Sequence, residues 1–154
     1  MAPEAGAAAG DATAMQLAQT RVASLYLADR ASQSLGIEIV DVAPGHVRIA
    51  MNVRHDMLNG HGMCHGGFVF AFADSAFAFA CNSYGDPMVA ARASIEFLLP
   101  TPRGERVIAT AAEASRGARH GVYDVTVANA AGQVFALFRG RCSRLRGSTQ
   151  SASP

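Results

Sequence analysis

Several features that define common classes of protein are missing from this sequence. Its 13 basic and 12 acidic residues leave a formal net charge of +1, whereas a general nucleic-acid binder would be expected to carry a clear excess of positive charge. The three cysteines have no CxxC spacing, which argues against a disulfide framework and predicts a reducing, cytoplasmic location. The longest apolar run, residues 66–81, contains Asp74 and is too short to cross a membrane. We therefore expect no nucleic-acid partner and no membrane partner.

What is present is enough apolar material for one large core. The chain has 154 residues, of which 50% are hydrophobic and 16% are charged. These values favour a single folded domain over a disordered chain. We predict that this domain spans residues 15–146. The alanine- and glycine-rich residues 1–14 and the serine-rich residues 147–154 are predicted to be flexible tails.

The spacing of apolar residues predicts helices and strands in a definite order. Helical spacing predicts an amphipathic helix from Met15 to about Gln33. A second helix, from Gly66 to Ser83, is apolar on nearly every side and must therefore be buried. Alternating and β-branched segments predict strands at residues 36–42, 46–53, 88–99, 105–114, 121–129 and 133–145. This order predicts an α+β fold in which an antiparallel sheet wraps around the apolar helix.

Asp74 is the most informative single residue, because it lies in the middle of the predicted apolar helix. Phe70, Ala71, Phe77 and Ala78 lie at the spacings that share its helical face. A carboxylate buried there without a partner is costly or titrates with a raised pKa. One interpretation is a solvated seam or a structural pairing with a distant arginine. The interpretation we favour is a general base or nucleophile in a desolvated cleft.

The pair Gly66-Gly67 begins the same helix and is suited to a site for negative charge. Glycine lets the backbone approach a ligand closely, and free N–H groups at a helix N-terminus attract anions. Taken alone, the pair also fits a tight loop that enters a helix. Eight residues of helix separate Gly66 from Asp74, a distance of about 12 Å that one aspartate side chain cannot span. If both act on one substrate, they belong to different subunits, which predicts an obligate dimer.

Two further groups of residues have weaker interpretations. His61 and His65 flank Cys64 at i, i+4 spacing, but the interleaved glycines disfavour a helix and no HExxH pattern follows. We therefore predict no metal site, and the absence of a P-loop or GxGxxG motif predicts no cofactor. Arg116 and Arg119 lie between two predicted strands, where they are either solvated or in contact with phosphates.

Several segments of the sequence together carry a family resemblance. They are Asn59-Gly60-His61, Cys64-His65-Gly66-Gly67, Ala73-Asp74-Ser75-Ala76-Phe77-Ala78, Cys81-Asn82-Ser83, Ile95-Glu96-Phe97-Leu98, Gly121-Val122-Tyr123-Asp124-Val125 and Ala136-Leu137-Phe138-Arg139-Gly140. The chain resembles the hotdog-fold acyl-CoA thioesterases over roughly residues 15 to 145. In particular, it resembles those that act on phenylacetyl-CoA or hydroxyphenylacetyl-CoA in bacterial phenylacetate degradation.

The resemblance implies both an assembly and an activity. It implies the hotdog fold, a dimer with a continuous sheet, and a homotetramer built from two such dimers. The implied reaction is hydrolysis of an acyl-CoA thioester to the free acid and CoA, without a metal. By residue match, Asp74 is the catalytic carboxylate and the Gly66 N–H polarises the thioester carbonyl. Asn59 and His65 are implied to orient the thioester or the attacking water.

The expected substrate contacts are less well matched to the family. Related enzymes place a serine or threonine early in the strand after the helix, and Ala90 occupies that position here. Ser94 is the nearest hydroxyl. We therefore expect substrate binding by Gly67 and Ser94, with Arg116 and Arg119 near the CoA nucleotide.

Two other functions compete with hydrolysis. A hotdog hydratase or dehydratase would need a histidine and an acid at the β-carbon of the acyl group, and His65 with Asp74 are the available candidates. A non-catalytic acyl-CoA-binding protein is the other alternative, although a pure binder gains nothing from a buried carboxylate beside a thioester.

Overall fold

The computed structural model describes residues 5–145, with side chains from residue 10 onwards. The helices are α1 (Ala5–Ala28), α2 (Arg30–Ser34) and α3 (Gly66–Asn82), with a 3-10 turn at His55–Met57. The strands are β1 (Glu38–Ala43), β2 (His46–Asn52), β3 (Met88–Phe97), β4 (Arg106–Arg116), β5 (His120–Ala128) and β6 (Val134–Arg144). None of the described helices is long and apolar enough to cross a membrane.

The six strands form one antiparallel sheet that wraps around α3. Their order is β1-β2-β4-β5-β6-β3, so β1 and β3 lie at its two edges. The predicted α+β hotdog architecture is therefore confirmed. The predicted hairpin is also present: Ala43 pairs with His46 across a turn in which Gly45 has a φ of 69°. That positive φ is in the left-handed region, which glycine adopts without strain.

The core lies between α3 and the inner face of the sheet. Phe72, Phe77 and Phe79 on α3 are fully buried, and burial of each such side chain contributes roughly 1.5–3 kcal/mol to stability. Phe77 also packs directly against β6. A Cβ at Gly140 would lie 2.8 Å from the Phe77 ring, so only glycine lets the strand approach the helix this closely.

The N-terminal region differs from the sequence prediction in two ways. Residues 5–14, predicted to belong to a flexible tail, lie in α1, where their many alanines have the highest helix propensity. The single predicted helix also breaks at Asp29. The Asp29 carboxylate accepts the Ser32 N–H at 3.0 Å and begins α2. Residues 1–4 of the predicted N-terminal tail, and the whole predicted tail at 147–154, lie outside the described residues.

Candidate active site

Asp74 lies halfway along α3 and faces a cleft of about 310 Å³, called here the Asp74 cleft. Three parts of the chain form the cleft: α1 with its C-terminal end, one face of α3, and the start of β3. They contribute Leu25, Ala28, Asp29, Phe77, Ala78, Cys81, Asn82, Met88, Val89 and Ala90. The Asp74 side chain is half-buried, and this desolvation raises its pKa. None of the described residues donates a hydrogen bond to it or forms an ion pair with it.

Asn82 holds the β3 wall of this cleft against α3. Its Nδ2 donates to the carbonyls of Ala78 at 2.9 Å and Met88 at 3.0 Å, and its Oδ1 accepts the Met88 N–H at 2.9 Å. The amide thus pairs with Met88 as a neighbouring strand would. Sequence reasoning gave Asn82 no role, because nothing in a sequence shows which backbone group a helix-terminal amide reaches.

The N-terminus of α3 forms a second cleft, the Gly66 cleft, also of about 310 Å³. Its other lining residues are Asn59, Met63, Cys64, Val69, Phe97, Leu98, Leu99, Pro100 and Thr101. No described residue accepts a hydrogen bond from the Gly66 N–H. A Cβ at Gly66 would lie 3.1 Å from the Phe97 ring, so glycine leaves both the ring and the donor accessible.

The other predicted donor, Gly67, is not free. Its N–H donates to His65 Nδ1 at 2.9 Å, so that His65 caps α3 and only Gly66 offers an unused amide. An Nδ1 that accepts places the imidazole proton of a neutral histidine on Nε2. The His65 side chain and Gly67 border a separate groove beside α2, with Phe68 and Ala71. Within one chain, therefore, the structure brings neither His65 nor Gly67 into the Gly66 cleft or beside Asp74.

Asn59 shapes the loop that borders the Gly66 cleft. Its Oδ1 accepts the N–H groups of His61 at 2.9 Å and Met63 at 3.3 Å. Its Nδ2 donates to no acceptor among residues 5–145. The side-chain amide is therefore held in place by its Oδ1, while its N–H groups remain available to a ligand. Asn59 and Gly66 are thus the two predicted site residues that the fold brings together.

The Asp74 cleft and the Gly66 cleft have no lining residue in common. Both residues lie on α3, which rises about 12 Å between them. One chain therefore holds the carboxylate in one cleft and the backbone donor in another, as helix geometry predicts.

The structure places Ser94, the expected substrate hydroxyl, on a different face of β3 from the one that regular alternation predicts. Ala90 lines the Asp74 cleft, and in a regular strand Ser94 would share its face. A β-bulge between Ala90 and Arg92 reverses the alternation. Ala93 and Ile95 pack on the core, and the exposed Ser94 lies on the opposite, outer face of the sheet.

The two arginines expected near the CoA nucleotide lie away from both clefts. The Arg116 guanidinium stacks over the Tyr84 ring at 3.9 Å and lies 3.7 Å from the Asp86 carboxylate, beyond the C-terminus of α3. Arg119 is exposed in the β4–β5 loop. Neither residue lines either cleft. Across residues 5–145, no three His, Cys, Asp or Glu side chains are grouped so that they could hold a metal ion.

The sequence is similar to a known protein family and to a characterised member of it. Residues 61–136 match the family model described as Thioesterase superfamily. The acyl-coenzyme A thioesterase PaaI of Escherichia coli (strain K12) is 42% identical over 124 residues, which is 80% of this chain and 89% of that protein.

The fold is also similar to solved structures of related proteins. The structure of the E. coli PaaI protein from the phenylacetic acid degradation operon superimposes with a TM-score of 0.84 at 40% identity, over 86% of this chain and 96% of that one. The structure of smu.793 from Streptococcus mutans UA159, bound to acetyl CoA, has a TM-score of 0.69 at 27% identity, over 71% of this chain and 88% of that one.

Proposed function

This chain belongs to the thioesterase superfamily, and we propose that it hydrolyses arylacetyl thioesters of coenzyme A to the free acid and CoA. Acyl-CoA thioesterase activity follows from that membership. The acyl group and the roles of individual residues are proposed from the two clefts. The observation that carries the proposal is the Asp74 carboxylate, half-buried and without a described partner in a mostly apolar cleft.

The Gly66 N–H is proposed as the oxyanion donor. As the thioester carbonyl is attacked, negative charge develops on its oxygen. The Gly66 N–H, at the positive end of α3, is positioned to stabilise that charge. Asn59 Nδ2 borders the same cleft and supplies a second donor.

Asp74 is proposed as the group that starts the reaction. In one route a carboxylate oxygen attacks the carbonyl carbon, the C–S bond breaks, CoA leaves as the thiolate, and water hydrolyses the resulting mixed anhydride. In the other route Asp74 takes a proton from water, and the water oxygen attacks instead. Label that enters Asp74 during a single turnover in ¹⁸O-labelled water would establish the first route, with water attacking the Asp74 carboxyl carbon of the anhydride, because the second route never places water oxygen in Asp74.

We propose that each complete site contains the Asp74 cleft of one copy and the Gly66 cleft of a second copy. Neither cleft alone contains both the carboxylate and the oxyanion donor. The free edge of β3 borders both clefts, Met88 to Ala90 at one end and Phe97 at the other. If two such edges pair in antiparallel orientation, the Met88–Ala90 end of one β3 lies beside the Phe97 end of the other. Two dimers of this kind are proposed to form the tetramer, which light scattering on the purified protein would test.

An arylacetyl group fits the composition of the Asp74 cleft. Its walls are apolar at Leu25, Phe77 and Met88, and small at Ala28 and Ala78. The related E. coli structure comes from a phenylacetic acid degradation operon, which supports the same choice.

The decisive experiment measures thiol release from a panel of thioesters. Phenylacetyl-CoA, hydroxyphenylacetyl-CoA, a medium-chain acyl-CoA and acetyl-CoA are compared for wild type and Asp74→Asn. We expect an arylacetyl preference, and a loss of turnover of roughly 10²–10⁴-fold in the variant. Asp41→Asn, an exposed carboxylate on β1, is the matched control. Binding of acyl-CoA with no thiol release would favour the non-catalytic alternative.

A further inference from the structure

The outer edge of β3 is uncovered within the part of the chain that the structure describes. It is ten residues long, and its outer backbone groups pair with no strand among residues 5–145. Val89 at its start is 43% exposed, and Phe97 and Leu98 at its end are 54% and 51% exposed. Natural edges are usually kept from pairing by short length, by cover, by bulges or by charges, and of these β3 has one bulge and the charges of Arg92 and Glu96. The opposite edge, β1, is six residues long and is contacted by α1. An uncovered apolar edge of this length indicates a partner strand.

The outer face of β3 carries two charges that lack partners in their own chain. Arg92 lies directly opposite Arg141 of β6, so its nearest cross-strand neighbour has the same charge. Glu96 lies opposite Leu137. The described residues provide no ion pair to Arg92 or Glu96. Arg139, opposite Ser94, is already held by a two-point hydrogen bond to Asp124.

We propose that two copies pair β3 with β3 in the antiparallel register that places Ser94 on the two-fold axis. Arg92 of each copy then lies opposite the partner's Glu96, on both sides of the axis. This inference rests on the proposed function, because it specifies which partner residues complete the two-cleft site. Arg92 and Glu96 are positioning residues in it and touch no substrate.

Alternation along the strand leaves few competing registers. Residues that lie opposite each other must be on the same face of the joined sheet. In a symmetric antiparallel pair, one residue must therefore lie opposite its own copy at the two-fold axis. The next allowed register is reached by sliding one strand two residues along the other. An axis at Ala93 would place Arg92 opposite the partner's Ser94, and an axis at Ile95 would place it opposite the partner's Leu98. An axis at Arg92 would oppose two arginines. Only the axis at Ser94 opposes unlike charges directly.

The register determines how the two clefts meet. With Ser94 on the axis, and with Ala91 as the extra residue of the bulge, Ala90 at the rim of the Asp74 cleft lies opposite the partner's Phe97 at the rim of the partner's Gly66 cleft. A slip to the next register would displace the clefts by two residues, or about 7 Å. Such a displacement is far larger than catalytic geometry tolerates. The two ion pairs would therefore align the carboxylate of one copy with the oxyanion donor of the other.

Charge reversal tests the ion pairs. Arg92→Glu or Glu96→Arg alone opposes like charges across the axis. Each should raise the dimer dissociation constant, and lower kcat/KM for phenylacetyl-CoA at low protein concentration, by at least about tenfold. The double variant restores opposite charges and should recover both values to within about threefold. Arg106→Glu is the matched control, because it breaks an exposed pair with Glu38 inside one chain. It should leave both values unchanged to within about twofold.

Cysteine crosslinking tests the register independently of activity. In Ser94→Cys the two thiols would face each other, with Cα atoms about 4.5–5.5 Å apart, a range that a disulfide spans. Oxidised glutathione should then form the intermolecular disulfide and release reduced glutathione. Ala93→Cys and Ile95→Cys should crosslink weakly. The native cysteines are buried, so wild type is the background control.

The outcomes separate the register from the proposed function. Crosslinking that is strongest at Ala93→Cys or Ile95→Cys, or a double charge variant that stays dissociated, would overturn the register. An active wild-type monomer would overturn the composite site as well. A wild-type dimer that crosslinks through Ser94→Cys but hydrolyses no thioester would support the register and defeat the proposed function.

Discussion

The two clefts on α3 are equal in volume but opposite in electrostatic character. In the Asp74 cleft, two helices and a strand partly desolvate a carboxylate, so the surroundings oppose its charge. In the Gly66 cleft, a loop and the start of α3 present an unused amide, so the surroundings attract negative charge. In the proposed mechanism the first cleft holds the reactive carboxylate, and the second stabilises the negative charge that forms on the thioester oxygen.

The comparison explains why one chain would separate groups that act together. If Asp74 lay beside the Gly66 N–H, the amide would hydrogen-bond the carboxylate and lower its pKa. The resting site would then consume its own oxyanion donor. Twelve ångströms of helix, about eight residues, keep the two groups apart within one chain, and in the proposed dimer a second copy and a substrate would bring them together.

After the loss of the Asp74 carboxylate, the largest expected effect is at the Gly66 amide. Gly66 is the first residue of α3, a position that tolerates proline, and His65 before it has φ −62° and ψ 134°, which suits a pre-proline residue. Gly66→Pro removes the N–H while the helix can still form. We expect kcat for phenylacetyl-CoA to fall roughly 10²–10³-fold.

Gly66→Ala is the control for that change. It adds a similar contact with the Phe97 ring but keeps the amide, so its loss should be much smaller. Equal losses in the two variants would mean that crowding of Phe97, and not the missing donor, limits turnover. Circular dichroism of both variants establishes that α3 is retained.

A smaller effect is expected when the wall of the Asp74 cleft is loosened. Asn82→Ala leaves the Met88 N–H and carbonyl without their side-chain partner, at a cost of about 1–3 kcal/mol in unfolding free energy. The displaced wall should lower kcat/KM roughly ten- to a hundredfold. Full activity in Asn82→Ala would show that the wall needs no support from this amide.

These perturbations also show how far the sequence alone reaches. The order and approximate ends of all six strands, the buried helix and the separation of Asp74 from Gly66 follow from periodicity and helix rise. The face of Ser94 does not follow, because one bulged residue in β3 reverses every later side chain. The capping bond from Gly67 to His65 and the Asn82 contacts depend on loop paths that no local pattern encodes.

The raised pKa of Asp74 predicts a shift in the pH dependence of turnover. The carboxylate must be ionised in either proposed route, and burial disfavours its ionised form. The acid limb of kcat should therefore have its midpoint above 3.8, the ordinary aspartate value. Initial rates of thiol release across the acidic range give this midpoint, with the uncatalysed hydrolysis subtracted. A limb at or below 3.8 would mean that substrate binding reverses the desolvation.

The smallest predicted effect is a gain in stability when the same carboxylate is lost. Because the pKa of Asp74 is higher in the folded chain than in the unfolded chain, the folded state binds more protons between the two values. Stability then falls as the pH rises through that window and stays lower above it. Asp74→Asn removes this penalty and should raise Tm at neutral pH by about 2–4 °C. The gain should vanish below 3.8, where Asp74 is protonated in both states. A Tm that falls at neutral pH would instead show that the ionised carboxylate stabilises the dimer, which would place a positive group of the partner subunit beside it.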